Sequence, residues 1–186
     1  MYRVLTALLL LVLSTPCFAE VTVTTGTKYF SVSGKRQSEI TANLKANALY
    51  KVKDEPAPAF TQSEIKYKYS WRSQNGRCTI TKVVINLNLT YTYPKLVNKT
   101  DKNTLLWWDA KLMRFEEHEL IHGDISKKYA TMLDKELKKI KDLDCTTMKE
   151  VVKSRVNYVM RKMRAKQEEY DRITDHGRKQ EKHRGI

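Results

Sequence analysis

Phe115-Glu116-Glu117-His118-Glu119-Leu120-Ile121-His122 is the stretch on which the reading of this chain turns. Apolar residues step by three or four on both sides of it. Leu105, Trp108 and Leu112 precede it, Ile125, Tyr129, Met132 and Leu133 follow, and the face runs on through Leu137 and Ile140. That period predicts a long amphipathic helix from Thr104 onward. Residues four apart on a helix lie one turn above each other, so His118 and His122 aim at one point, with Glu119 beside them. Two imidazoles with a carboxylate in this spacing form the HExxH pattern, which suits a metal ion and a general base. Gly123 sits inside the helix at about 1 kcal/mol less favourable than Ala, which marks a bend or a close approach of another part of the chain.

Upstream the period changes from four to two. Ile65, Tyr67, Tyr69 and Trp71 alternate with polar residues, Asn75-Gly76 is a hairpin turn signal, and Cys78 to Tyr93 returns with Ile80, Val83, Ile85, Leu87, Leu89 and Tyr91. This predicts a long antiparallel hairpin with one face on the core, closed by Pro94. Val21 to Val32 reads as one or two strands punctuated by Gly26 and Gly34. A helix capped by Ser38 follows, with Ile40, Leu44 and Ala48 on its face, and then a loop over 54–60 containing Pro56 and Pro58. Downstream, a second helix is predicted from about Met148 to Glu169. The fold class is therefore α+β: an N-terminal antiparallel sheet with one helix, then the HExxH helix and a C-terminal helix. Residues 178–186 read as a charged, frayed tail.

The 186 residues suit one domain, and 41% hydrophobic with 9% aromatic content excludes a disordered chain. Residues 1–19 read as a secretory signal peptide: Arg3, an apolar run from Val4 to Leu13, then a small-residue cleavage site ending at Ala19. The domain proper is then 20–177, exported to a periplasm or beyond, with no membrane-spanning segment left. Export leaves Cys78 and Cys145, an even pair that predicts one disulfide in an oxidising compartment. Removing residues 1–19, whose one charged side chain is Arg3, leaves 34 basic against 21 acidic residues, a net charge of +13. That balance favours anionic envelope surfaces. Nucleic acid is not an expected partner, because no nucleic-acid motif and no ladder of aromatic and basic residues is present.

A catalytic zinc takes three protein ligands and keeps one position open. His118 and His122 supply two. The third comes from His176, Asp171, Asp175, Asp124 or His183, since no further His follows His122 at short spacing. His176 stands in Tyr170-Asp171-Arg172-Ile173-Thr174-Asp175-His176-Gly177, a polar, turn-like run. If the last two helices pack antiparallel, it returns towards His118 and His122.

Three stretches together resemble a bacterial family catalogued as a domain of unknown function and described as predicted secreted zinc-dependent proteases. They are Lys28 to Gly34 as its opening strand, Phe115 to His122 as its HExxH helix, and Tyr170-Asp171-x-x-Thr174-x-His176-Gly177 as its C-terminal signature. The family often carries Gly where this chain has Ile121. The resemblance implies a zincin-like domain holding one Zn²⁺ per chain, with His176 as third ligand. On that reading the chain is a metallopeptidase acting on peptide or protein substrates, with Glu119 as general base. Tyr170 or Arg172 is then a candidate oxyanion donor, and Asp171 and Asp175 are candidates for orienting an imidazole. The alternatives are a non-catalytic, zinc-stabilised envelope binding protein and an amidase acting on cell-wall peptides.

Overall fold

The computed structural model describes residues 21–52 and 55–183. The signal peptide read in residues 1–19 lies outside that range. The fold is α+β, in chain order β1 (Val21–Val32), α1 (Gln37–Ala46), β2 (Tyr50–Val52), β3 (Glu55–Ala57), β4 (Phe60–Gln74), β5 (Arg77–Leu96), α2 (Lys102–Lys138), β6 (Leu143–Asp144) and α3 (Met148–Thr174). Short 3-10 turns cover Cys145–Thr147 and Gln180–His183.

β4 and β5 form the expected hairpin, turning at Asn75 (φ 51°) and Gly76 (φ 74°). Both central residues are left-handed, as the tightest hairpin loops require, and Asn-Gly tolerates this best. The sheet order is β1-β5-β4, with β6 pairing the start of β5. The sheet is mixed, not wholly antiparallel: β1 runs parallel to β5 over twelve residue pairs, from Val21↔Ile85 to Val32↔Leu96. β5 is the most apolar strand and takes the centre, where both of its edges are paired. Pro94 does not end β5, which continues to Leu96. β4 begins at Phe60↔Thr92, so Pro94 lies beyond the β4 pairing and has a ladder partner on one side only.

One irregularity sets which side chains face inward. Ser70 pairs with Lys82 but Trp71 pairs with Ile80, leaving Thr81 as an extra residue. That bulge reverses the phase of β5, so that Ile80 and Val83 are both buried despite their odd spacing. Ile85, Leu87, Leu89, Tyr91 and Tyr93 continue the inward row and pack on Ala130, Leu133 and Leu137 of α2 and on Val152 and Val159 of α3. Each such aliphatic side chain contributes about 1.5–3 kcal/mol on burial. A smaller cluster joins Phe30, Val32, Ile40 and Leu44 to Trp108. A third joins Ile125 of α2 to Met163 and Tyr170 of α3.

The remaining differences are local. Arg36, not Ser38, is the residue before α1, and Glu39 Oε2 accepts from the backbone N–H groups of Lys35 and Arg36 (2.9 and 3.4 Å). The segment with Pro56 forms a small ribbon, β2 against β3, in place of a loop. Cys78 and Cys145 are bridged across 67 residues. This joins the base of β5 to the start of α3, where Cys145 N–H also donates to the Gly76 carbonyl (3.0 Å). No helix among the described residues is long and apolar enough to cross a membrane.

Candidate metal centre

α2 is a single helix of 37 residues, and His118, Glu119 and His122 lie near its middle, all largely buried. α3 lies against it and runs about one turn beyond the expected end at Glu169, through Thr174. The extra turn matters because Tyr170 and Asp171 become helical and face α2. His118 Nε2 and His122 Nε2 lie 3.2 Å apart, and Asp171 Oδ1 is 3.1 Å from the first and 3.0 Å from the second. These three groups form a potential metal-ligand set.

The protonation of the two rings decides whether a cation fits. Gln167 Nε2 donates to the carbonyl of His122 (3.0 Å) and to Ser126 Oγ (3.1 Å), so the other end of that amide is its oxygen. That oxygen meets His122 Nδ1, which therefore carries the proton and leaves Nε2 as a lone pair. His118 Nδ1 faces Gln180 Oε1 at 3.1 Å in the same way. With both Nε2 atoms bare, three electron-rich atoms converge, and either a metal cation or a ring proton shared with Asp171 Oδ1 relieves their repulsion. Their separations of 3.0–3.2 Å are close to the ligand–ligand edge of about 3.3–3.4 Å around a tetrahedral zinc with 2.0–2.1 Å bonds. Two nitrogens and one carboxylate oxygen are a donor set that suits zinc. The residues present fit the metal.

Glu119 is held beside the triangle by β4. Thr61 Oγ1 lies 2.6 Å from Glu119 Oε2 and 3.0 Å from its backbone carbonyl. Burial pushes the Glu119 carboxyl up, against the opposing pull of His122, the Thr61 hydroxyl and His118. For Asp171 the balance is reversed. Burial alone would raise it, but with a ring proton in the metal-free triangle, hydrogen bonds and charge from His118 and His122 hold it well below the usual carboxylate range. The Tyr170 ring stacks on His118 (4.9 Å, 20°) and meets His122 edge-on (5.1 Å, 82°), and burial raises its hydroxyl to about 12.

His176 does not complete the triangle. Asp175 and His176 take left-handed backbone (φ 53° and 50°) at the end of α3, which carries the imidazole outward. It is half-exposed, with Nδ1 3.8 Å from Asp171 Oδ1, and it lies outside the converging set. The structure therefore gives the third position to Asp171, and the reason is the extra helical turn. Arg172 points to solvent and pairs with Glu169 (2.8 and 2.9 Å), so it is not aimed at the centre. Asp175 ends the helix, with its carboxylate 3.8 Å from Lys179. Asp124 is exposed and pairs with Lys127 (2.8 Å). The His183 side chain lies outside the described residues.

The residues that sequence reasoning missed are the ones that hold the ligands. Gln167, Ser126 and Ser63 form a chain behind His122, with Ser63 Oγ 2.7 Å from Ser126 Oγ. The segment read as a frayed tail contributes Gln180, which is fully buried. Gln167 carried a signal, since Met163, Gln167, Tyr170 and Thr174 continue one helix face. A single Gln in a charged stretch carried none.

No curated protein and no solved structure matches the chain. Residues 27–177 match the family described as "Bacterial protein of unknown function (DUF922)". That span takes in the second half of β1, the HExxH helix and the turn at Gly177, and the chain belongs to this family.

Proposed function

We propose that this chain is an exported zinc-dependent peptidase, in which His118, His122 and Asp171 hold one metal ion and Glu119 is the general base. The observation that carries the reading is the convergence of two Nε2 nitrogens and one carboxylate oxygen within 3.0–3.2 Å, beside a buried glutamate. When bound, zinc polarises a substrate carbonyl and makes a water at the site more acidic. Glu119 takes the proton as that water attacks, and then delivers it to the leaving amine. Thr61 fixes the carboxylate for both transfers. β4 is a terminal strand of the sheet and carries Thr61, so its edge is placed to align an extended peptide by main-chain hydrogen bonds. The signal sequence sends the chain to a periplasm or the exterior.

Two variants keep the same ligands. Hydrolysis of cell-wall peptides, in place of proteins, is favoured by the net charge of +13 left after removal of residues 1–19 (34 basic against 21 acidic), which draws the chain to anionic polymers. A non-catalytic, zinc-stabilised binding protein is favoured by His176, 3.8 Å from Asp171 Oδ1, which is near enough to close the site as a fourth ligand after a small shift. The deciding experiment measures zinc per chain in the purified protein and profiles products from a peptide library and from cell-wall peptides, with and without chelator. Glu119→Gln is expected to keep its zinc and lose turnover. Wild-type protein that holds no zinc would end the metal reading, and wild-type protein that holds zinc without turnover would favour the binding protein.

A further inference from the structure

His118 is enclosed by the last stretch of the described chain. The Tyr170 ring stacks on it, and the backbone of Gly177 lies so close that a Cβ there would stand 3.2 Å from His118 Cγ. Gln180 Oε1 meets Nδ1 at 3.1 Å and also accepts the Tyr170 hydroxyl at 2.6 Å. A carbonyl oxygen has two lone pairs and can accept both bonds. Turning the amide round would place NH₂ at that point. The Tyr170 hydroxyl hydrogen would then have no acceptor there, and Nδ1 would have to be the bare nitrogen, which moves the proton of a neutral ring to Nε2. A proton on Nε2 points into the triangle and excludes a cation.

Among the described residues, Gln180 Nε2 is buried without a hydrogen-bond partner. An apolar side chain of the same size would avoid that desolvation. The oxygen end of the amide is the one with partners among the described residues, and it serves His118 and Tyr170. Gln167 makes the corresponding bond to His122 from α3, with its orientation fixed independently by the His122 carbonyl. The two rings are thus set by two glutamines from different elements.

We propose that Gln180 is the positioning residue for His118: its carboxamide oxygen keeps the proton on Nδ1 and so presents Nε2 as the metal-binding lone pair. The 3-10 turn Gln180–His183 belongs to the metal centre, although the family match stops at Gly177. The effect on metal affinity rests on the zinc reading above, while the effect on the His118 proton stands without it.

The test uses the mature protein and two variants, Gln180→Leu and Gln180→Glu. Zinc affinity is measured by chelator competition. The protonated nitrogen of His118 is read by nitrogen-15 NMR in zinc-free protein at mildly alkaline pH. Loss of an outer-shell partner typically weakens a metal site 10–100-fold. Gln180→Leu is expected to fall in that range and to shift the His118 proton from Nδ1 towards Nε2. Gln180→Glu keeps an acceptor for both bonds and is expected to stay within a few-fold of wild type. Wild-type protein with a bare Nδ1 would overturn the proposal, as would a folded Gln180→Leu with unchanged affinity and unchanged proton position. If Gln180→Leu fails to fold, the Gln180→Glu affinity and the wild-type spectrum still decide it. A wild type without zinc affinity would refute the metal reading alone, and the Nδ1 signal would then judge Gln180.

Discussion

Gly123 lies next to the second histidine, and replacing it with alanine sets two measurable effects against each other. In a free helix the change is stabilising by about 1 kcal/mol. In this fold the new Cβ would stand 2.0 Å from the Tyr91 hydroxyl oxygen and 3.0 Å from its Cζ. Tyr91 is buried in the main core on the central strand, so its ring has little room to retreat. Forcing a methyl group into a packed core costs about 1–3 kcal/mol, and a 2.0 Å contact belongs at the upper end. The net expectation is a destabilisation of about 1–2 kcal/mol, a loss of roughly 2–8 °C in Tm for a domain of this size. Thermal melts followed by circular dichroism, with the disulfide intact, measure it. Tyr91→Phe removes the atom at 2.0 Å, so the double variant should recover part of the loss, with a coupling of about 0.5–3 kcal/mol. A Gly123→Ala protein as stable as wild type or more so would refute the close packing of α2 on β5 at the site.

The ligand assignment separates two neighbouring residues. Asp171→Ala is expected to abolish stoichiometric zinc by elemental analysis, whereas His176→Ala should retain it; the reverse result would restore His176 as third ligand. Reduction of the Cys78–Cys145 bridge opens a loop of 67 residues. In the chain-entropy view this destabilises by roughly 4 kcal/mol, and denaturant midpoints with and without reductant test it. Asp101 caps α2 by accepting from the N–H groups of Asn103 and Thr104 (3.0 Å each), and bonds to Thr104 hold its carboxyl below the ordinary value. A depressed native pKa contributes stability that is full above about pH 4, the unfolded value, and is lost as pH falls through the native one. The Tm gap between wild type and Asp101→Ala should therefore be wide at pH 6 and narrow towards pH 2.

What could be read from the residues was what repeats locally. The apolar steps around His118 gave the long helix, Asn75-Gly76 gave the hairpin, and the period-two row gave β5 as the core strand. The parallel pairing of β1 with β5 could not be read, because nothing local encodes which distant strand a segment joins or in which direction. The bulge at Thr81 hid behind the odd spacing of Ile80 and Val83. That Asp171, and not His176, lies in the converging set with His118 and His122 could not be read for a related reason. Asp171 and Arg172 look like turn residues, but Tyr170, Ile173 and Thr174 find partners that extend the helix, and packing then decides which polar side chain faces inward.

All three apolar clusters draw on α2: Trp108 in one, Ala130, Leu133 and Leu137 in the largest, Ile125 in the third. A rod of 37 residues, about 55 Å long, thus runs through every packed region with the histidine pair near its midpoint. The donor triangle has no hinge of its own in α2, so pulling its two α2 histidines apart means breaking the rod that the clusters share. Amide exchange along α2 should then slow to a common rate from Trp108 to Leu137, and the pair should dissolve only when the whole molecule does.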